Sequence, residues 1–458
     1  MNLAKAHDMK SRPRPRLLPV LVLALALGTS GCGIFKGKGG PKTPTVGDRV
    51  PILSRIESGA KVDPALAGVS VVLPPAEVNT QWAQAGGPAN KAYGHLALGA
   101  SPTRVWSAQI AGATNKRRLA AAPVVGDGRL YVFDTNGVVT ALNADTGAKL
   151  WTKSFAASGD NENAIFGGGV SYDDNQGSPR VYVTTGLGEV AALSAADGSE
   201  QWKAKPAGPL RGSPAVGYDA VYVMTQDNQI VALNAADGKQ LWNESASVSQ
   251  AGVFGVAAPS VGQGTIVAGF SSGELVAYRY ENGRQLWSDA LARTSISTEV
   301  GSLTDVDADP IIDRGRVYAL GQGGRMAAYE LLSGQRIWEL NLAGISTPAV
   351  AGDWVFTLTD HAQLLAIARS TGKVRWLNQL ARYRNEEKRK NPIFWVGPVL
   401  AGNRLWIANS RGELSYADPA EGTMTPYGEL GQPISLAPVV ANQTLYVLDD
   451  SGRITAYR

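Results

Sequence analysis

A unit of about 45 residues recurs from residue 101 to the end of the chain. Its opening is marked by a small or polar residue followed by Pro and, in all but the Ala258 unit, an apolar pair. The instances are Ala122-Pro123, Ser213-Pro214, Ala258-Pro259, Asp309-Pro310, Thr347-Pro348, Gly397-Pro398 and Ala437-Pro438. One further unit lacks the Pro and opens near Gly169-Val170. From Pro123 to Pro438 there are 315 residues in seven steps, a mean of 45. That period fits a four-stranded propeller blade and is long for a leucine-rich or tetratricopeptide repeat.

Each unit has the same internal order. A Val-Tyr-Val type run comes first, as at Leu130–Val132, Val181–Val183 and Val221–Val223. A Val-x-Ala-Leu run follows, as at Val139–Leu142 and Val190–Leu193. A turn then carries Gly147, Gly198, Gly238, Gly283, Gly334 or Gly372, where a short β-turn demands positive φ. The unit closes on Trp151, Trp202, Trp242, Trp287, Trp338 or Trp376. Alternation within runs of three to six residues predicts half-buried strands. A Trp at constant offset is a packing residue between adjacent sheets, the rival being a row of ligand-stacking aromatics.

The two ends of the repeat explain each other. The unit from Pro438 holds three strands and stops at Arg458, without a Gly-turn or a Trp strand. An orphan strand with the missing Trp, Arg104-Val105-Trp106-Ser107, precedes the first unit. The expected fold is therefore all-β: an eight-bladed β-propeller of four-stranded blades, the last closed by the N-terminal strand, over residues 101–458. Closure leaves no open sheet edge.

Charge is unevenly placed. The net charge of the 458 residues is +4, which at first suggests an anionic partner. Residues 1–31 alone account for +4, residues 32–100 for +3 and the repeat for −3. Nucleic acid is therefore not an expected partner. Residues 1–31 join a basic head, an apolar run from Leu17 to Leu27 and a small-residue end, the pattern of a secretory signal peptide rather than a spanning helix. Cys32 follows at once and is the sole Cys of the chain. It rules out an intramolecular disulfide and any Cys-based zinc site. Residues 33–50, rich in Gly, Pro and Lys, read as a tether. Residues 51–100 read as an irregular extension lying against the repeat, so 32–100 form one tether-and-extension segment.

The order Ala-Asp-x-Gly-x-x-x-Trp at Ala144–Trp151, with shorter Ala-Asp-Gly-x-x-x-Trp forms at Ala196–Trp202 and Ala236–Trp242, resembles the PQQ-enzyme repeat. Two groups share it: the quinoprotein alcohol dehydrogenases, and the BamB lipoproteins of the outer-membrane β-barrel assembly (Bam) complex. The first group implies a pair of adjacent Cys on the cofactor, Ca²⁺ ligands and a catalytic Asp. The single Cys32 removes the pair, so no catalytic, cofactor or metal residue is assigned, and a PQQ-dependent dehydrogenase stands only as the alternative. The second group matches further. Ser30-Gly31-Cys32 resembles a lipobox, with Thr29 where Leu is usual, which implies that Cys32 is acylated. Gly33 rather than Asp after it points to the outer membrane.

Pro209-Leu210-Arg211-Gly212-Ser213-Pro214 resembles the Leu-Arg-Gly stretch with which BamB grips BamA. A second stretch, Ser297-Thr298-Glu299 followed by Leu303-Thr304-Asp305-Val306-Asp307, is similar to BamB as well, with Asp305-Val306-Asp307 matching its Asp-Val-Asp. The resemblance implies that Leu210, Arg211, Asp305 and Asp307 bind a partner, the periplasmic POTRA domains of BamA, with nascent outer-membrane barrels as clients. A further family Leu falls on Gly208 here. Read from the residues alone, Arg211 and the two Asp could instead form an internal network tying blades together. Asp305-x-Asp307-x-Asp309 is no EF-hand, since Pro310 and Arg316 occupy its sixth and twelfth positions. The basic run Arg382, Arg384, Lys388, Arg389, Lys390 reads as a solvated loop, with lipid head groups or nucleic acid as the lesser reading.

Overall fold

The computed structural model describes residues 60–155, 167–247, 257–291 and 305–458. Eight four-stranded antiparallel sheets follow one another, each from one repeat unit. We number them blades 1 to 8: residues 124–154, 168–204, 215–245, 260–290, 311–340, 349–379, 395–429, and 439–457 with 104–109. In blade 8 the strand Arg104–Gln109 lies outside Arg453–Tyr457, pairing Ser107 with Thr455. The N-terminal strand thus completes the final sheet and closes the ring, as the repeat ends predict.

Burial differs from the expected half-buried pattern for a physical reason. Each blade is covered on both faces by its neighbours, so the middle strands are apolar on both sides. In Ala220–Met224 and Trp354–Leu358 every residue is buried. Only the outermost strand alternates: in Gln240–Ser245 just Trp242 is buried. Alternation is therefore the mark of the fourth strand alone.

That fourth-strand Trp sets the seam between blades. The Trp287 indole N–H of blade 4 donates to the Leu331 carbonyl of blade 5 at 2.7 Å. Its ring lies under Gly334, which has φ +70°, and a Cβ placed there would come within 2.4 Å of it. The same arrangement recurs for Trp106, Trp151, Trp202, Trp242, Trp338 and Trp376, each donating to the next blade at 2.9–3.1 Å. These Trp are packing residues with satisfied N–H groups. Blade 7 departs from the pattern: Tyr427 occupies its fourth-strand position, and blade 8 has no third-to-fourth-strand turn to receive a ring.

Among its described residues, 60–100, the extension has no strand of its own, only the short 3-10 turn Pro64–Leu66. It nevertheless engages nearly every blade by backbone bonds to the innermost strands. The Asn79 carbonyl accepts from Asn442 of blade 8 at 2.8 Å, and Trp82 exchanges two bonds with Val125 of blade 1. Ala83 accepts from Tyr172 of blade 2 at 2.7 Å. The Gln84 side chain makes a paired contact with Val216 of blade 3. Ala89 and Asn90 accept from Val261 of blade 4 and Ile312 of blade 5, and Leu96 bonds to Leu400 and Gly402 of blade 7. Residues 79–96 thus wind around the inside of the ring, satisfying the inner strand edges that a propeller leaves toward its axis.

Candidate partner interface

Antiparallel order puts the connections between blades and the turns between second and third strands on one face of the ring. Leu210, Arg211, Asp305 and Asp307 all come from such connections. The segment before blade 3 is fixed by a bond from the Arg211 N–H to the Met224 carbonyl and one from Gln226 to the Pro209 carbonyl, both 2.9 Å. The segment before blade 5 lies across blade 4, where the Val306 N–H meets the Phe270 carbonyl at 3.2 Å. The Gln322 N–H of blade 5 donates to the Asp305 carbonyl at 2.9 Å.

The structure brings these segments together. Arg211 Nη2 donates to both Asp305 oxygens, at 2.7 and 2.9 Å, and reaches Asp307 Oδ1 at 3.5 Å. One guanidinium from the edge of blade 3 therefore clasps the lead segment of blade 5 over blade 4. All four residues are buried: Leu210 is 0% exposed, Asp305 1%, Arg211 6% and Asp307 8%. The internal network that the residues alone allowed is thus present, and in the free chain these side chains offer a partner little surface. Charge pairing at this depth is strong only because the geometry is close and the partners are multiple. Burial, and next the Asp305 charge, push the Asp307 carboxyl up to about 7, against the pull of Arg211.

Two ionisable groups that sequence reasoning did not assign lie beside this clasp. Asp309 is buried, accepts from the Ala258 N–H at 2.7 Å, and has its carboxyl pushed up by burial while the Lys91 charge opposes. Lys91, 1% exposed, donates to the Ala85 carbonyl at 2.6 Å. Burial lowers its ammonium to about 8, with Asp309 opposing. Asp309 carried a signal in the Asp-x-Asp-x-Asp run. Lys91 carried none, since nothing in an Ala- and Gly-rich extension marks it as a core residue. Above them a cavity of about 270 Å³ opens on the same face, floored by Trp82, Gly86 and Tyr93 and walled by Ser213, Asp307, Pro398 and Leu436.

Cys32, Ser297, Thr298, Glu299, Leu303 and Thr304 lie outside the described residues. Among the described residues, no three His, Cys, Asp or Glu side chains are placed to hold a metal ion. The adjacent Cys pair implied for a quinone cofactor is missing from the sequence itself.

These features define an eight-bladed propeller of the Trp-docked, PQQ-like repeat class. Within that class, the family described as outer membrane protein assembly factor BamB matches residues 94–165 and 135–378, and the chain belongs to that family. It is 29% identical to outer membrane protein assembly factor BamB of Salmonella typhimurium over 360 residues, 78% of this chain and 88% of the relative. Among solved structures, BamB of Moraxella catarrhalis superposes with a TM-score of 0.64 at 20% identity, covering 78% of this chain and 99% of that one. Quinohemoprotein alcohol dehydrogenase of Comamonas testosteroni also reaches 0.64, at 15% identity over 82% of this chain and 80% of its own. At such identities the structural likeness speaks to the fold alone.

Proposed function

We propose that this chain is a non-enzymatic scaffold of the outer-membrane β-barrel assembly complex. It docks on the periplasmic POTRA domains of BamA and aids the folding and insertion of outer-membrane barrels. An acyl group on Cys32, exposed once residues 1–31 are removed, holds it on the periplasmic face of the outer membrane. The observation that carries this reading is the family match, which spans most of the ring and includes the segment bearing Leu210 and Arg211. The buried clasp gives the reading its mechanism. Arg211, Asp305 and Asp307 are positioning residues that lock the connections before blades 3 and 5 into one rigid surface, which lowers the ordering cost of binding.

The test is co-purification of BamA with the acylated chain from envelope extracts. Arg211→Glu, and Asp305→Ala with Asp307→Ala, are expected to lose BamA while keeping the β-sheet circular dichroism of the wild type. Retention of BamA by both variants overturns the assignment of these residues. Labelling with radioactive palmitate, lost in Cys32→Ser, tests the anchor. The dehydrogenase alternative gains no support from the residues, and specific alcohol turnover with PQQ and Ca²⁺ would overturn the scaffold reading.

A further inference from the structure

The connection between blades 6 and 7 forms a hairpin of its own, unlike the connections on either side of it. The strands Tyr383–Asn385 and Lys390–Pro392 pair antiparallel, Asn385 opposite Lys390. Asn385 Oδ1 accepts from the Lys388 N–H at 2.9 Å, and Arg389 and Asn391 hold positive φ. The hairpin stands on the same face as the Arg211 clasp, two blades further round the ring from its Asp305 segment and four from Arg211. Every residue from Arg384 to Pro392 is exposed, so no second sheet covers either side.

Its charge is one-sided. Residues 382–390 carry five basic and two acidic side chains. Glu386 is turned back onto its own backbone, where Oε1 accepts from the N–H groups of Arg382 at 2.7 Å and Tyr383 at 3.1 Å. That carboxylate caps the hairpin, and with Glu387 it still leaves residues 382–390 a net charge of +3. Among the described residues, no acidic side chain lies within ion-pair distance of Arg384, Lys388, Arg389 or Lys390. At the base of the hairpin stands Phe394, 68% exposed. It is fixed there by bonds between its backbone and Ser410, at 3.0 Å to the hydroxyl and 2.8 Å from the Ser410 N–H. A protruding element with unneutralised cations and a held-out aromatic ring has the composition of an interfacial membrane contact.

We propose that the hairpin 382–394 is a lipid-contact element, its basic side chains meeting the phosphates of anionic phospholipids and Phe394 entering the headgroup boundary. The inference rests on the membrane-anchored reading above, and the anchor explains why so small a patch suffices. Twenty-seven residues separate Cys32 from Ala60. Extended, they span about 90 Å, so the tether itself does not dictate which face of the ring looks toward the bilayer. Within that reach the hairpin meets lipid at an effective concentration of millimolar order. Weak, charge-dependent contact then orients the ring without adding a second permanent anchor.

The test uses the chain from residue 32 with Cys32→Ser, so that no acyl group contributes. Co-sedimentation is measured with vesicles of phosphatidylcholine alone and of phosphatidylcholine with about one-third phosphatidylglycerol. Retention on the anionic vesicles is expected to exceed that on neutral ones by at least about tenfold at low salt, each basic side chain supplying roughly fivefold. It is expected to vanish in molar salt. Changing Arg384, Lys388, Arg389 and Lys390 to Ser abolishes it, and Phe394→Ser weakens it at unchanged salt dependence. All five positions are exposed, so the variants fold. Equal retention on both vesicle types, or full retention by the quadruple variant, overturns the proposal. So does a hairpin that crosslinks in envelopes only to an acidic protein. Failure here leaves palmitate labelling of Cys32 intact, whereas failure of the anchor leaves vesicle binding intact.

Discussion

Seven seams of the ring are alike and one is not. At the seven, an outer-strand indole slides under the turn of the next blade and spends its N–H on that blade's carbonyl. At the seam between blades 7 and 8 the aromatic pair of a blade is exchanged. Elsewhere Tyr or Phe commonly sits on the second strand and Trp on the fourth, as in Tyr222 and Trp242. In blade 7 Trp406 is on the second strand and Tyr427 on the fourth, edge to face at 5.0 Å. The Trp406 indole N–H turns inward to Ala401 at 3.2 Å, and the Tyr427 hydroxyl donates to the Pro102 carbonyl just before the closing strand. A docked indole needs a glycine turn. Blade 8 is made from both chain ends and has none, so the receptor and its Trp are missing together.

The contrast sets an order of expected effects. Trp287→Ala removes a buried ring and leaves a hydrogen-bond acceptor unpaired, and is expected to cost about 3–5 kcal/mol; chemical denaturation measures it. A loss no greater than that of Tyr427→Ala would break the comparison. Arg211→Ala strands Asp305 in the interior across the clasped blades 3 to 5 and is expected to cost about 3 kcal/mol. Gly334→Ala forces a methyl against Trp287 at positive φ and is expected to cost about 1–3 kcal/mol; thermal melting follows it.

The Asp307 carboxyl sharpens the picture through pH. Its folded value, about 7, lies above the ordinary 3.8. The native state therefore holds the proton more tightly, and wild-type stability falls as pH rises from about 4 to about 7. Asp307→Asn is expected to gain on wild type across that window, by a few degrees in Tm, with no further gain above it. Smallest is Tyr427→Phe, which deletes one hydroxyl bond and is expected to cost about 1 kcal/mol. Tyr427→Trp is expected to stabilise nothing, because no turn receives the larger ring.

The ring was legible because its seams are periodic in the sequence: Pro, Gly and Trp recur at fixed offsets, and the stray Trp106 strand announces closure. The candidate site was legible only as identities. Arg211 and Asp305 are 94 residues apart, and nothing local says that they meet or that both are buried. Burial came from the loops crossing between blades, which follow no repeat. The winding of residues 79–96 was illegible for a different reason. It is made mostly of backbone bonds, and Ala, Gly and Asn carry no mark of using their carbonyls.

That winding has a consequence for assembly in time. Its bonding positions are spaced to meet blade 8, then blades 1 to 5, then blade 7. A partial ring presents too few of these edges, and an incomplete blade 8 removes the first of them. The segment that precedes the repeats in the chain is thus among the last to settle, since its partners include residues near the C-terminus. Such long-range closure makes folding slow. It also makes residues 79–96 a gauge of completeness: exchange protection of the Trp82, Leu96 and Asn442 N–H groups, whose bonds cross between the winding and the ring, would rise only when all eight blades are in place.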